Sequence, residues 1–427
     1  MKQSNYNFFL PYEPDDSKLI AYNSFSNALA LMERAQYNKF IAFAQDGVTI
    51  DDAELIAQLK AGAFIVEDDC NELDRLRLRM LKSRYNTNYL SLTITPTADC
   101  NFRCGYCYEK DVIKTDYMTQ ETEDAIIKLV ERQIKTIASL RITWYGGEPL
   151  MHMGAIERLS EKFIALCENN DVAYSANIIT NGYLLTKEIA QRMNALKIAN
   201  MQITLDGDKQ MHDQRRPLTD GSGTFDTIIN NLETYKDLLP MVSLRINTDK
   251  TNIDAGKKIA KIIADKGLAD KVKPYLGRII EDDNSLDVCG FSQEEFKYIN
   301  ELTDDDTYMR HFPQPKHNYC SADSLNAYIV AADGRLYKCW REVGEHKKCV
   351  GSLVEHVAAN EPMYMDYMLF DPTMDGQCSK CNLLPVCMGS CPKDRHNGAE
   401  KCSTHKFVLD GLLDTVVRRL KTRQVAE

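Results

Sequence analysis

Leu92-Thr93-Ile94-Thr95-Pro96-Thr97-Ala98-Asp99-Cys100-Asn101-Phe102-Arg103-Cys104-Gly105-Tyr106-Cys107 carries a β-rich run straight into a loop of three thiols. The spacing, C-x3-C-x2-C, offers three thiolates from one short segment. A structural zinc site takes four ligands in tetrahedral closure, usually from paired C-x2-C knuckles. A cubic [4Fe–4S] cluster held by three cysteines instead keeps one iron free to chelate a further group.

Working outward, residues 91–276 alternate short β-rich runs with helical patterns. The strands read as Leu92–Thr95, Arg141–Tyr145, Tyr174–Thr180, Gln202–Leu205, Val242–Asn247 and Val272–Leu276. Helical periodicity fills the gaps over Thr119–Ile137, Ala155–Glu168, Lys187–Ala195, Phe225–Leu238 and Ala255–Ala264. Thr119 is placed as an N-cap, with Glu121, Glu123 and Asp124 near the positive end of the helix dipole. Repeated strand–helix units imply a parallel sheet, an α/β fold in the form of a partial (β/α)6 barrel. Chemistry in such barrels sits at the C-terminal ends of the strands.

Residues 1–88 read as a small α+β domain, with strands at Asn7–Leu10 and Leu19–Tyr22 and helices near Asn27–Arg34, Asp52–Lys60 and Asn71–Arg84. Residues 89–300 make the barrel. Residues 301–427 lose the long periodic segments as cysteines, glycines and prolines grow dense, which suits a region stapled by metal clusters. No internal repeat or low-complexity tract interrupts the chain.

The 427 residues are ordinary globular material, 44% hydrophobic and 27% charged. A formal net charge of −10 argues against a nucleic-acid partner, because such proteins cluster a basic excess on one face. No apolar run is long enough for a membrane span and residues 1–10 lack the order of a secretory signal, so a cytoplasmic protein is expected. The 14 cysteines then point to metal or redox chemistry rather than disulfides. Cys70, Cys167 and Cys289 stand alone and read as small buried residues.

The loop Cys100–Cys107 resembles the cluster motif of the radical S-adenosylmethionine (SAM) superfamily, C-x3-C-x-aromatic-C, with Tyr106 in the aromatic position. That resemblance implies a [4Fe–4S] cluster on Cys100, Cys104 and Cys107. The free iron would bind the amino and carboxylate groups of SAM, and reductive cleavage would give a 5′-deoxyadenosyl radical. Tyr145-Gly146-Gly147-Glu148-Pro149, after the second strand, resembles the family's GGEP motif, whose backbone and Glu carboxylate meet the methionyl ammonium. Thr180-Asn181 and Asp206 end the third and fourth strands; either they face the ribose or substrate, or they are turn residues. Asn247 and Arg216 resemble SAM-contacting positions of relatives.

In the tail, Cys320 is followed by thirteen residues, Gly334, four residues and Cys339, then Cys378-x2-Cys381-x5-Cys387-x3-Cys391 and Cys402. This array resembles the SPASM extension of radical SAM proteins, which carries two auxiliary iron–sulfur clusters. The resemblance assigns Cys320, Cys339 and Cys391 to the first and Cys378, Cys381, Cys387 and Cys402 to the second. Where some relatives supply a fourth ligand to the first cluster, this chain has Gln314. Either Cys349 closes that cluster or an iron stays open; Cys349 also reads as a core residue. A zinc ribbon is the rival reading of Cys378, Cys381, Cys387 and Cys391 taken alone.

The SPASM subgroup resembles enzymes that modify peptides and proteins, and several features are similar to maturases of ribosomally made peptides. The first domain matches their leader-recognition element in size and order. Trp340 follows Cys339, where sulfatase maturases place an Asp as proton acceptor. The resemblance therefore implies hydrogen abstraction from a precursor peptide and a thioether or carbon–carbon crosslink, with flavodoxin or ferredoxin as reductant. The alternatives are oxidation of a protein Cys or Ser side chain, and a non-catalytic iron–sulfur electron carrier, which would have no need of Glu148 and its loop.

Overall fold

A computed structural model describes residues 1–109, 115–279, 312–354, 359–396 and 402–426. Cys289 and the boundary expected at residue 300 lie outside the described residues. The chain forms two compact units.

The first comprises Met1–Arg84, the described part of Asp305–Asp323, and Leu369–Glu427. Its elements are β1 (Lys2–Gln3), β2 (Asn7–Pro11), β3 (Lys18–Asn23), β4 (Ala28–Glu33), α1 (Arg34–Asp46), α2 (Ala53–Ala61), β5 (Ile65–Val66) and α3 (Glu72–Arg84). Strands β2, β3 and β4 form an antiparallel meander, and β1 pairs with β5. The segment expected to be helical near Asn27–Arg34 is therefore a strand. Ala, Leu and Met favour a helix by propensity, but Asn27 takes a left-handed φ of 64° that ends the turn after β3. Residues 28–33 then pair along the whole of β3, so tertiary pairing overrides propensity. The helix begins only at Arg34, where Glu33 and Gln36 make a capping box.

The tail supplies a four-residue helix at Leu384–Cys387, a five-residue one at Pro392–His396 and a long one at His405–Ala426. Tyr12, Ile20 and Tyr22 share a core with Leu383, Val386, Leu409 and Leu413, and Tyr6, Leu76 and Met80 share one with Leu384 and Met388. Each fully buried large apolar side chain of this kind contributes roughly 1.5–3 kcal/mol. Arg77 adds an ion pair to Asp371 at 2.8 Å. The N-terminal segment and the tail thus fold as one body, whereas the sequence suggested separate domains in chain order.

The second unit comprises the described residues of Tyr85–Asp304 and Ser324–Met368. It alternates β6 (Tyr89–Ile94), α4 (Gln120–Gln133), β7 (Ser139–Trp144), α5 (Met153–Asn169), β8 (Ala173–Ile179), α6 (Lys187–Ala195), β9 (Ile198–Thr204), α7 (Lys209–Arg215), α8 (Phe225–Tyr235), β10 (Met241–Thr248), α9 (Ala255–Asp265) and β11 (Val272–Arg278). Strands β6 to β11 lie side by side in sequence order, all parallel. This is the expected six-stranded partial barrel. Beyond it, β12 (Ala327–Val330) adds to β6 in parallel, followed by antiparallel β13 (Arg335–Tyr337) and β14 (Gly351–Ser352). Residues 324–368 therefore continue the barrel sheet.

Alternation along the strands positions the site. Leu90, Leu92 and Ile94, Leu140, Ile142 and Trp144, and Leu244 and Ile246 are buried in one core with Ile126, Val130, Leu159, Phe163, Leu232 and Ile259 from the helices. Residues of opposite parity, such as Thr93, Thr143, Asn177, Gln202 and Arg245, point to the other face. That face is polar and hydrogen-bonded, as where Tyr275 donates to Gln202 at 2.7 Å. Thr119 caps α4 as expected, its hydroxyl accepting from the Thr122 amide. No helix among the described residues is long and apolar enough to cross a membrane.

Candidate active site

The cysteine loop leaves the C-terminal end of β6 and is fixed by backbone bonds on two sides. From the sheet side, the Gly147 amide donates to the Thr97 carbonyl (3.2 Å) and the Glu148 amide to the Asp99 carbonyl (2.8 Å). From the segment after α7, the Arg103 amide donates to Pro217 O (2.8 Å) and Thr219 to Asn101 O (3.1 Å). Phe102 is buried beneath, edge-on to Tyr183 at 5.9 Å. Cys100, Cys104 and Cys107 are half-buried free thiols.

Gly146 and Gly147 make this approach possible. Gly146 has φ of 122°, and a Cβ there would meet the Thr95 side chain at 2.3 Å. The close neighbour of both glycines is the cysteine loop and the strand end that carries it. Glu148 is buried, one carboxylate oxygen accepting from the Thr180 hydroxyl (2.6 Å) and the Leu150 amide (3.0 Å), the other from the Asn181 amide (2.7 Å). Burial raises its pKa while these donors lower it. The Asn181 side chain donates to Asn101 (2.8 Å), so the end of β8 also grips the cysteine loop.

Tyr106 lies at the centre of the constellation. Its hydroxyl accepts from Arg216 Nη1 (2.7 Å) and Asn247 Nδ2 (3.0 Å), and the Arg215 guanidinium lies over its ring, 5.3 Å from the centroid. Asp206 is fully buried and pairs with Arg215 at 3.3 Å; Arg215 also bonds Asp249 at 2.9 Å. The structure thus brings Cys100, Cys104, Tyr106, Cys107, Gly146, Gly147, Glu148, Thr180, Asn181, Asp206, Arg216 and Asn247 together at the C-terminal ends of five successive strands. Sequence reasoning missed Arg215, Asp249 and Asn252, whose amide holds the Asp206 and Asn247 carbonyls at 2.7 and 2.9 Å. Only proximity to Arg216 and to the end of β10 could have signalled them.

Burial pushes the Cys100 and Cys107 thiols up to about 12, with Glu148 adding to the first and Glu109 to the second. Cys104 is raised by burial too, opposed by the Arg216 cation. Metal loading here must displace protons. Among the described residues no three His, Cys, Asp or Glu side chains converge on a point one metal ion could occupy.

In the first unit Cys378 senses the charges of Cys387 and Cys381, and Lys406 donates to Cys402 Sγ at 3.4 Å while sensing Cys381 and Cys378. These four thiols, the set expected for one auxiliary cluster, lie near one another. Cys320 likewise lies within electrostatic reach of Cys391. Left-handed residues Met388, Gly389 and Ser390 fold the chain sharply between Cys387 and Cys391. Gln314 accepts from Asn27.

Cys339 belongs to the second unit, between β13 and a short turn of helix at Trp340–Glu342. Trp340 lies 5.0 Å from Tyr145, centroid to centroid, and the Tyr145 hydroxyl bonds that of Tyr108. Cys349 takes the core position: it is buried with Ile329, Ala331 and Tyr337, and its thiol donates to Gly351 O at 2.8 Å. Cys70 and Cys167 are buried.

Residues 94–262 match the Radical SAM superfamily. A radical SAM cyclopropyl synthase, TigE of Paramaledivibacter caminithermalis, is 26% identical over 47% of this chain, which spans only 44% of that enzyme. A Cysteine-type anaerobic sulfatase-maturating enzyme of Clostridium novyi is 23% identical over 72% of this chain and 88% of the relative. Among solved structures, Streptococcus suis SuiB bound to the precursor peptide SuiA has a TM-score of 0.55 at 14% identity, covering 94% of this chain and 98% of SuiB. The thiol loop at the strand ends lies within the family match: residues 94–262 carry a radical SAM domain, the domain of a superfamily of enzymes that use SAM and a [4Fe–4S] cluster.

Proposed function

We propose that the protein is a maturase of ribosomally made peptides that installs a thioether or carbon–carbon crosslink in a precursor. SAM bound at a [4Fe–4S] cluster supplies a 5′-deoxyadenosyl radical on reductive cleavage. In this reading Cys100, Cys104 and Cys107 are the cluster ligands. The loop Gly146–Glu148 with Thr180 and Asn181 holds the methionyl end of SAM, and Tyr106, Asp206, Arg216 and Asn247 hold the rest or the substrate. The polar face of the sheet orients the peptide carbon and excludes water.

The β2–β3–β4 sheet would bind the leader by taking on an added strand, the parallel sheet of the second unit would carry the chemistry, and the cysteines from Cys320 to Cys402 would hold two auxiliary clusters as in a SPASM extension. Flavodoxin or ferredoxin would be the reductant in a cytoplasmic setting. Precursor binding by SuiB supports a peptide partner.

The observation that carries the crosslink is Trp340 against Tyr145, immediately after Cys339. Formylglycine formation would call for a carboxylate there to take the substrate proton. The test is anaerobic reaction of reconstituted protein with SAM, reductant and precursor peptides encoded beside its gene. Loss of two hydrogens with fragments joining two residues is expected; a linear peptide with an oxidised Cys or Ser would overturn the crosslink, and no deoxyadenosine release would overturn the radical site.

A further inference from the structure

The parallel sheet of the second unit carries a cation with no assigned task. Strands β6 to β11 contain no Asp or Glu at any position. Half-buried Arg245 stands on the polar face of β10, flanked in register by Thr204 on β9 and Tyr275 on β11. It precedes Asn247 by two residues, about 7 Å back along the strand from the cysteine loop.

The guanidinium is held in one orientation. Its Nε donates to Asn247 Oδ1 at 2.7 Å, and Asn247 Nδ2 donates onward to the Tyr106 hydroxyl of the cysteine loop at 3.0 Å. Its flat face rests on the backbone at Gly277, where a Cβ would stand 2.6, 2.7 and 2.8 Å from Nε, Cζ and Nη2. Only a residue without a side chain lets the group lie there. Among the described residues the two terminal nitrogens have no protein partner. The carboxylates at the strand ends are committed elsewhere, Asp206 and Asp249 to Arg215, and Glu148 to Thr180, Leu150 and Asn181. A fixed guanidinium with its outer edge unpaired is shaped for two parallel bonds to a carboxylate. Partial burial makes such a pair stronger than it is in water.

We propose that Arg245 is a substrate-binding residue whose terminal nitrogens take a carboxylate of the bound peptide, an Asp or Glu side chain or the C-terminal group. The pairing selects which residue of the peptide faces the radical. The bond to Asn247, and through it to Tyr106, fixes the spacing between that anchor and the loop of Cys100, Cys104 and Cys107. The inference rests on the reading of the protein as a peptide maturase.

The test uses the full-length, reconstituted protein with SAM, reductant and the precursor peptide encoded beside its gene. Versions of that peptide replace each Asp or Glu by Asn or Gln, or amidate the C-terminus, so the replacement that matters identifies the source of the carboxylate. In the unaltered protein one of them is expected to raise KM for the peptide about 10- to 100-fold, the loss of a charged hydrogen-bonded pair. In Arg245→Met the same replacement is expected to change KM little, a cycle that cancels any effect passing through Asn247. Gly277→Ala, which displaces the guanidinium and keeps its charge, is expected to lose the preference as well. A second measurement needs no variant protein: phenylglyoxal labelling of Arg245, mapped by mass spectrometry, should be blocked by the acidic peptide and not by its amide version. Equal KM for all peptides in the unaltered protein, or no shielding by any of them, would overturn the role of Arg245. Full shielding by SAM alone would overturn it too, by making SAM the source of the carboxylate. A crosslinked product without the preference would leave the maturase reading intact, whereas the preference with a linear, oxidised product would overturn the crosslink and leave Arg245 standing.

Discussion

Gly147 lies against Asp99 so closely that a Cβ on it would stand 2.1 Å from the Asp99 carbonyl oxygen. The GGEP loop and the cysteine loop are therefore one rigid object, and either can be displaced through the other.

Gly147→Ala is expected to push the cysteine loop off its strand end and to reduce deoxyadenosine release by about 100-fold, since an ångström of misplacement suffices for that loss. Gly154→Ala is the control. Its nearest neighbour is the flexible end of Arg158 at 3.1 Å, and activity should persist.

Glu148→Gln places an amide donor against the Asn181 amide or against the Thr180 hydroxyl and Leu150 amide, all of which donate in the native site. A cost of about 1–3 kcal/mol in urea unfolding is expected, together with weaker SAM binding by calorimetry.

Tyr106→Phe removes the acceptor shared by Arg216 and Asn247, leaving a buried guanidinium short of a partner. Thermal unfolding should show a loss of about 1–3 kcal/mol, and Asn247→Ala should cost less in this background than in the wild type, by the shared bond, while still losing the bond its side chain accepts from Arg245 at 2.7 Å.

His212 is buried between the Asp206 amide and the Thr224 hydroxyl, and burial, then Arg216 and Arg215, hold its pKa well below 6.5. The unfolded imidazole takes a proton near 6.5 while the folded one refuses it, so its share of stability is complete above that pH and is lost as pH falls below it. Urea midpoints at about pH 7.5 and about pH 5.5 should differ less in His212→Gln than in the wild type.

Much of the second unit is legible in the sequence because its strands and helices obey simple periods. All six parallel strands lie where the β-rich runs fall, and Lys187–Ala195 is read to the residue. The cysteine loop, Gly146–Glu148 and Asn247 were found because each follows or ends a strand. What escaped depends on distant pairing. Strand β4 looks helical until β3 lies beside it, and β12 is four residues whose membership in the barrel sheet is decided by β6. Arg215 carries no local mark, since its partners Asp206 and Asp249 lie on two other strand ends.

The union of the N-terminal segment with the tail has a consequence for biogenesis. Tyr12 and Ile20 leave the ribosome long before Leu409 and Leu413, the side chains that cover them. They must wait, partly unsheltered, while the whole of the intervening αβ body is made. Termination of synthesis before Leu409 would therefore leave the β2–β3–β4 meander without its cover, while the strands and helices of the second unit would already be complete.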